Sequence, residues 1–236
     1  MKERTIQILT ALIQDFIESA TPVASKKLLL KEDFDISSAT VRNEFAMLEE
    51  VGLIQSPHVS AGKVPTQKGY RFFVDELLEN KEQDLLVHSI FAKHIAEYRL
   101  AKSKETIFDI VRLIAQLSSN VAFVTIDSDR TFYLGLSNVL RSPEYILHPE
   151  KAAQIVEILE GRARFEKMIS SLEVPADEVK IFIGQENLLE EISSCAILVT
   201  RFQTKDISGT IGILGPMRMK YGFNKALLQN ALEMLG

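Results

Sequence analysis

The chain has 236 residues, a net charge of −5, 46% hydrophobic and 25% charged residues, and a single cysteine. That length suggests two domains with apolar side chains enough for a core in each, while the lone Cys195 excludes an internal disulfide framework and a Cys-based zinc site. No window approaches the roughly eighteen apolar residues of a membrane span, and Met1-Lys2-Glu3-Arg4 leads into an amphipathic pattern, so a cytoplasmic protein with no membrane partner is expected.

Ile6, Leu9, Ile13, Phe16 and Ile17 recur at helical spacing and predict a first helix from Arg4 to Ser19. Thr21-Pro22 reads as an N-cap with proline at the first helical position, opening a second helix through Leu30. After a charged turn, Ser37 or Ser38 caps a third helix, and Gly52 stands where a left-handed terminating residue is wanted. Leu53-Ile54-Gln55 and Lys63-Val64-Pro65 predict two short strands around the turn Pro57 to Gly62, and a helix follows from Gln67 to Glu79. Three helices and a hairpin in this order predict a winged helix-turn-helix domain over 1–80, with a boundary at Asn80 to Asp84.

Glu82 to Leu100 and Ser103 to Leu117 read as two further helices, and 81–119 as a helical linker that can serve dimerisation. From 120 onward the texture changes. Val121 to Ile126, Thr131 to Leu136, Val179 to Ile183, Ala196 to Phe202 and Thr210 to Leu214 predict five strands, and Pro149 to Leu159, Arg162 to Leu172 and Lys225 to Leu235 predict helices. The fold class is α+β, with a second domain over 120–236 built on an antiparallel sheet. Phe123, Phe132, Phe182 and Phe202 are expected in its core.

On a helical wheel Val41, Phe45 and Leu48 fall within about 60° of one another and form the buried stripe of the third helix. Opposite them stand Ala39, Asn43 and Ala46, flanked by Thr40, Met47 and Arg42. Short side chains on either side of an asparagine let the helix backbone approach another surface closely. Asn pairs bidentately with adenine, Arg with guanine, and alanine or threonine methyls suit the thymine methyl. Such a front suits a DNA major groove, although Ser-Ser-Ala-Thr is also simply a good helix start. Overall charge argues against nucleic acid, for the first 80 residues hold 9 basic and 12 acidic side chains. The local count differs: from Ser56 to Val74 the chain carries Lys63, Lys68 and Arg71 and no acid. A cationic patch beside a small-residue hairpin tip suits phosphate contact.

These same stretches carry a resemblance. "TPVASKKL", "SSATVRNEFAMLEEVGLI" and "PHVSAGKVPTQKGYRFFVDELL" are similar to the N-terminal domain of the HrcA family, the bacterial heat-inducible transcription repressors. "YLGLSNVLRSPEY", "IFIGQENLLEEISSCAILVTRF" and "GTIGILGPMRMKY" resemble that family's C-terminal GAF-like domain. The resemblance implies a homodimeric repressor on an inverted-repeat DNA operator of chaperone genes, with a GroE-type chaperonin favouring its active form. It assigns base-reading or groove-edge roles to Ser38, Thr40, Arg42 and Asn43. Backbone roles fall to Ser25, Lys26, Lys27, Lys63, Lys68 and Arg71, and the wing tip to His58, Ser60 and Gly62. Typical members carry an inserted dimerisation domain within the GAF-like domain. Here Ile126 reaches Tyr133 through a short turn at the place expected for it, so dimerisation is assigned to the 82–117 helices or the GAF-like sheet.

Enzymatic readings find little footing. His58, His88, His94 and His148 are scattered, and Gly209, Gly212 and Gly215 fit neither a dinucleotide fingerprint nor a P-loop. Glycines of a strand are the better reading, Cys195 is expected buried and inert, and Glu186, Glu190 and Glu191 in a solvated turn. No catalytic residue, metal or cofactor is assigned. The rival reading keeps the DNA-binding half and gives the GAF-like domain a small-molecule ligand.

Overall fold

The computed structural model describes all residues except 32–33, 35, 59–60, 79–80, 99–103, 128–129, 177, 205–206 and 236, and describes 81–82, 94–98 and 104–106 by backbone alone. The chain divides into two compact units, Met1–Leu78 and Glu79–Gly236.

In the first unit α1 (Glu3–Ser19), α2 (Ser25–Lys31) and α3 (Ser38–Glu50) pack mutually around Leu9, Leu12, Ile13, Leu28, Val41, Phe45 and Leu48, all buried. Strands β1 (Ile54–Gln55) and β2 (Val64–Pro65) pair antiparallel. Helix α4 (Gln67–Phe72) follows, capped by Thr66 and continued by one wide π-type turn over Phe73–Leu77. Gly52 takes φ +73°, as its place after α3 requires.

One boundary differs from expectation. Thr21-Pro22 opens no helix, because Val23 is drawn into the wing. The Val23 N–H donates to the Lys63 carbonyl at 2.8 Å and the Lys63 N–H to the Val23 carbonyl at 2.9 Å, so α2 begins only at Ser25. Gly62 permits this third rung: a Cβ there would lie 2.6–2.7 Å from the backbone of Pro22 and Val23. A pairing partner forty residues away overrides a local capping signal.

The second unit is a three-layer α+β body. Its five strands are β3 (Val121–Ile126), β4 (Arg130–Leu134), β5 (Lys180–Ile183), β6 (Cys195–Gln203) and β7 (Ser208–Pro216). They form one antiparallel sheet in the order β4-β3-β7-β6-β5. Helices α5 (Lys81–Tyr98), α6 (Lys104–Ser118) and α11 (Tyr221–Leu235) pack together, α6 and α11 lying on the sheet. The 81–119 helices therefore belong to this unit's body.

Val121, Phe123, Ile197, Val199 and Leu214 share one cross-strand face and form a core with Ile155, Leu159, Phe165 and Ile169. Those four come from α9 (Pro149–Glu160) and α10 (Arg162–Ser171). Every residue of β3 is buried, which is what a sheet covered on both faces demands and why its sequence runs apolar without alternation. Gly212 makes room for this core. Its missing Cβ would lie 2.4 Å from the ring of Phe123, which packs edge-on against Phe165 with centroids 5.0 Å apart.

The sequence pattern missed two short helices, α7 (Leu136–Arg141) and α8 (Pro143–Leu147), each too short for a helical period to register. Phe123 and Phe202 are buried as expected and Phe182 is partly so, but Phe132 is 44% exposed on the edge strand β4.

Candidate nucleic-acid interface

Ser37 is the N-cap of α3, and its hydroxyl accepts the Thr40 N–H at 3.1 Å. This fixes where the helix begins, and hence which residues its first turn presents. Val41, Glu44, Phe45 and Leu48 point inward, while Ala39, Arg42, Asn43, Ala46 and Met47 are exposed and Ser38 and Thr40 half-buried. The outward face therefore has the composition read from the wheel: small residues around Asn43, with Arg42 beside it.

Glu44 was not singled out by the sequence, and it seats the helix. Its carboxylate accepts from Arg4 Nε at 2.9 Å, from Arg4 Nη2 at 2.7 Å and from Thr5 Oγ1 at 2.7 Å, tying the middle of α3 to the start of α1. Burial alone would raise this carboxyl's pKa, but the Thr5 and Arg4 hydrogen bonds and the Arg4 charge hold it below its ordinary value. A glutamate followed by Phe45 gives no sequence cue to burial; only the forty-residue separation from Arg4, closed by the fold, makes one.

Helix α2 is fixed the same way. Asp15 of α1 is buried and lies 2.8 Å from Lys27 Nζ and 2.6 Å from Lys31 Nζ. Burial again opposes ionisation of Asp15, and the two ammonium groups more than offset it. Of the three α2 candidates, Ser25 is half-buried, Lys26 is exposed, and Lys27 is committed to Asp15.

The wing corrects the expectation of cations without acid partners. Lys63 Nζ lies 2.5 Å from Glu49 Oε2 and donates to Ser56 Oγ at 2.7 Å. Arg71 pairs with Asp75 at 3.2 Å, one helical turn on and just outside the stretch counted from the sequence. Lys68 donates to the Val51 carbonyl at 2.8 Å, beyond the end of α3. His58 is exposed in the turn and its carbonyl accepts the Ala61 N–H at 3.1 Å; Gly62 stands at the wing base, not its tip, where its lack of a side chain lets Pro22 and Val23 approach, and Ser60 lies outside the described residues. A linear count of charge cannot see acids supplied by another element. The surface of the unit thus presents Arg42 and Lys26 as exposed cations with no ion-pair partner among the described residues, and Asn43 as an exposed amide next to Arg42.

In the second unit the described residues contain no cluster of acid, histidine and cysteine side chains able to hold a metal ion. Cys195 is buried with its Sγ 3.3 Å from the Tyr145 hydroxyl, and burial pushes its thiol pKa up. Glu186 accepts the Ile183 N–H at 2.9 Å and Glu191 pairs with Arg164 at 2.5 Å, both in 3₁₀ turns.

The family described as HrcA protein C terminal domain matches residues 71–223. A heat-inducible transcription repressor HrcA of Halalkalibacterium halodurans is 27% identical, the alignment covering 94% of this chain and 92% of the relative. The protein of the same name from Brevibacillus brevis is 25% identical, covering 100% and 97%. That from Acetivibrio thermocellus is 24% identical over 323 aligned positions, covering 94% and 91%; against a chain of 236 residues, at least 87 of those positions have no counterpart here. A crystal structure of a hypothetical protein at 2.2 Å resolution superposes with a TM-score of 0.76 at 18% identity, covering 100% of this chain and 97% of the other, and so shares the fold. The family match runs from α4 to the start of α11, across the whole antiparallel sheet and well over half the chain: this protein belongs to the HrcA family.

Proposed function

We propose that this protein is a DNA-binding transcriptional repressor of the heat-shock class, acting in the cytoplasm as a homodimer on an inverted-repeat operator of chaperone genes. The observation that carries the reading is the front of α3: Ala39, Asn43 and Ala46 exposed in a row beside Arg42, which has no ion-pair partner among the described residues, on a helix held from behind by Glu44. Such a face has no packing purpose within its own unit, and its side chains match the hydrogen-bonding edges of base pairs.

Asn43 and Arg42 read bases, Ser38 and Thr40 border the groove, and Lys26 neutralises phosphate with Ser25 beside it. The wing, tied to the start of α2 through Val23 and Lys63, lies along the backbone with Lys68, Arg71 and Gly62 at its base and His58 and Ser60 towards its tip. Lys27 serves by holding α2 to Asp15. Dimerisation follows from a two-fold operator read by one recognition helix per copy. A GroE-type chaperonin that binds and favours the active form would link repression to the supply of unfolded protein. The chain carries out no catalysis in this reading.

Selection of bound duplexes from a random DNA pool tests the proposal. The expected product is a consensus of two inverted half-sites with a fixed spacing. No enrichment, with the chain folded, would remove DNA from its partners.

A further inference from the structure

Three side chains close a triangle at the root of the wing. Lys63 Nζ meets Glu49 Oε2 at 2.5 Å and Ser56 Oγ at 2.7 Å, and Ser56 Oγ donates to Glu49 Oε1 at 3.1 Å. The triangle joins the last turn of α3, the residue after β1 and the residue before β2. Lys63 is also the residue whose backbone pairs with Val23, so both its main chain and its ammonium are fixed. The ammonium holds the Glu49 carboxyl below its ordinary pKa against a smaller effect of burial, and Glu49 is therefore ionised at neutral pH.

Binding that depends on phosphate alone is counted in cations, each phosphate neutralised adding about −0.9 to the slope of log affinity against log salt. A phosphate that recruits Lys63 must take the place of Glu49, exchanging one anionic partner for another. Lys63 then adds little to sequence-independent binding. We infer that Glu49 is a specificity-determining residue: by holding the Lys63 ammonium at the wing base it withholds one cation from unrelated DNA, leaving affinity to the base contacts of α3. This rests on the DNA-binding reading above and adds to it a reason why the discrimination lies in α3.

Fluorescence titration of the full chain on an unrelated duplex at several salt concentrations tests it. Glu49→Gln is expected to steepen the salt slope by about one, so that affinity falls about threefold more than for the natural chain between 50 and 200 mM salt. Glu50→Gln controls for charge alone: Glu50 is exposed, adjacent and without an ion-pair partner among the described residues, and its loss should leave the slope unchanged. Adding Lys63→Met to Glu49→Gln should return the slope to its natural value. Lys63→Met in the otherwise natural chain, which keeps the check alive if E49Q does not fold, should leave the slope on unrelated DNA as it was. A slope for E49Q equal to that of the natural chain or of E50Q, or a loss of about one from K63M alone, would overturn the inference. Absence of any salt-dependent DNA binding by the natural chain would instead overturn the reading beneath it.

Discussion

Asn43 stands exposed between Ala39 and Ala46, four and three residues away and opposite the buried Val41-Phe45-Leu48 stripe, and no described residue of its unit uses its amide. An amide in that setting contributes nothing to folding that alanine would not, since it is solvated and makes no capping bond. Asn43→Ala, which replaces a poorer helix former by a better one, is therefore expected not to lower the unfolding midpoint and to weaken operator binding by about 1–3 kcal/mol, with little change on unrelated duplex. A gel-shift titration with both duplexes checks this; full operator affinity in the variant would remove Asn43 from the base-reading set. Arg42 beside it is the candidate for a guanine, and Lys26 the one for a phosphate.

At the scale of elements, the first unit is joined by carboxylates as much as by its apolar core. Glu44 fixes α3 to α1 and Asp15 fixes α2 to α1; each is buried, Glu44 held by Arg4 and the Thr5 hydroxyl and Asp15 ion-paired with Lys27 and Lys31. Both have folded pKa values below their ordinary values of 4.5 and 3.8. A group so depressed contributes stability that is complete above its unfolded pKa and lost as pH falls through its folded one. The helix-turn-helix unit should therefore lose stability progressively once pH drops below about 4.5, and Glu44→Ala should flatten part of that dependence. At neutral pH the same variant is expected to cost about 1–3 kcal/mol, because the buried Thr5 hydroxyl loses its partner together with a charge-assisted bond. The Arg4 end of the bond is half exposed and adds the lesser part. Urea unfolding followed across pH 3–7 checks both; a pH profile identical to the natural chain's would show that Glu44 does not link folding to protons.

For the whole molecule, the proposed function requires one α3 helix per chain to read each half of a two-fold site. One alignment with a relative has at least 87 positions without a counterpart here, and β3 turns into β4 within a few residues, so the proposed dimer would have to form through surfaces this chain has. Light scattering is expected to show two chains both free and bound to one inverted repeat. A strict monomer in both states would defeat the dimeric reading. Charge acts at this scale too: a net charge of −5, with Lys27, Lys31 and Lys63 ion-paired within the fold, weakens long-range attraction to a polyanion, so the proposed DNA binding would rest on local contact.

Much of this was legible in the residues themselves. Helical period located α1 and α3, a cap at Ser37 or Ser38 and Gly52 bounded α3, and the apolar run 121–126 announced a strand. These signals are local, set by backbone geometry and by which side chains water rejects, so a single sequence carries them. What only the tertiary structure decided was partnership between distant residues: Val23 with Lys63, Glu44 with Arg4, Asp15 with Lys27 and Lys31, Glu49 with Lys63. A charge looks the same in a sequence whether it faces solvent, a phosphate or an acid from another helix. Its availability is a property of three-dimensional proximity, and here the fold assigns Lys27 and Lys63 to holding the domain and leaves Arg42 and Lys26 exposed.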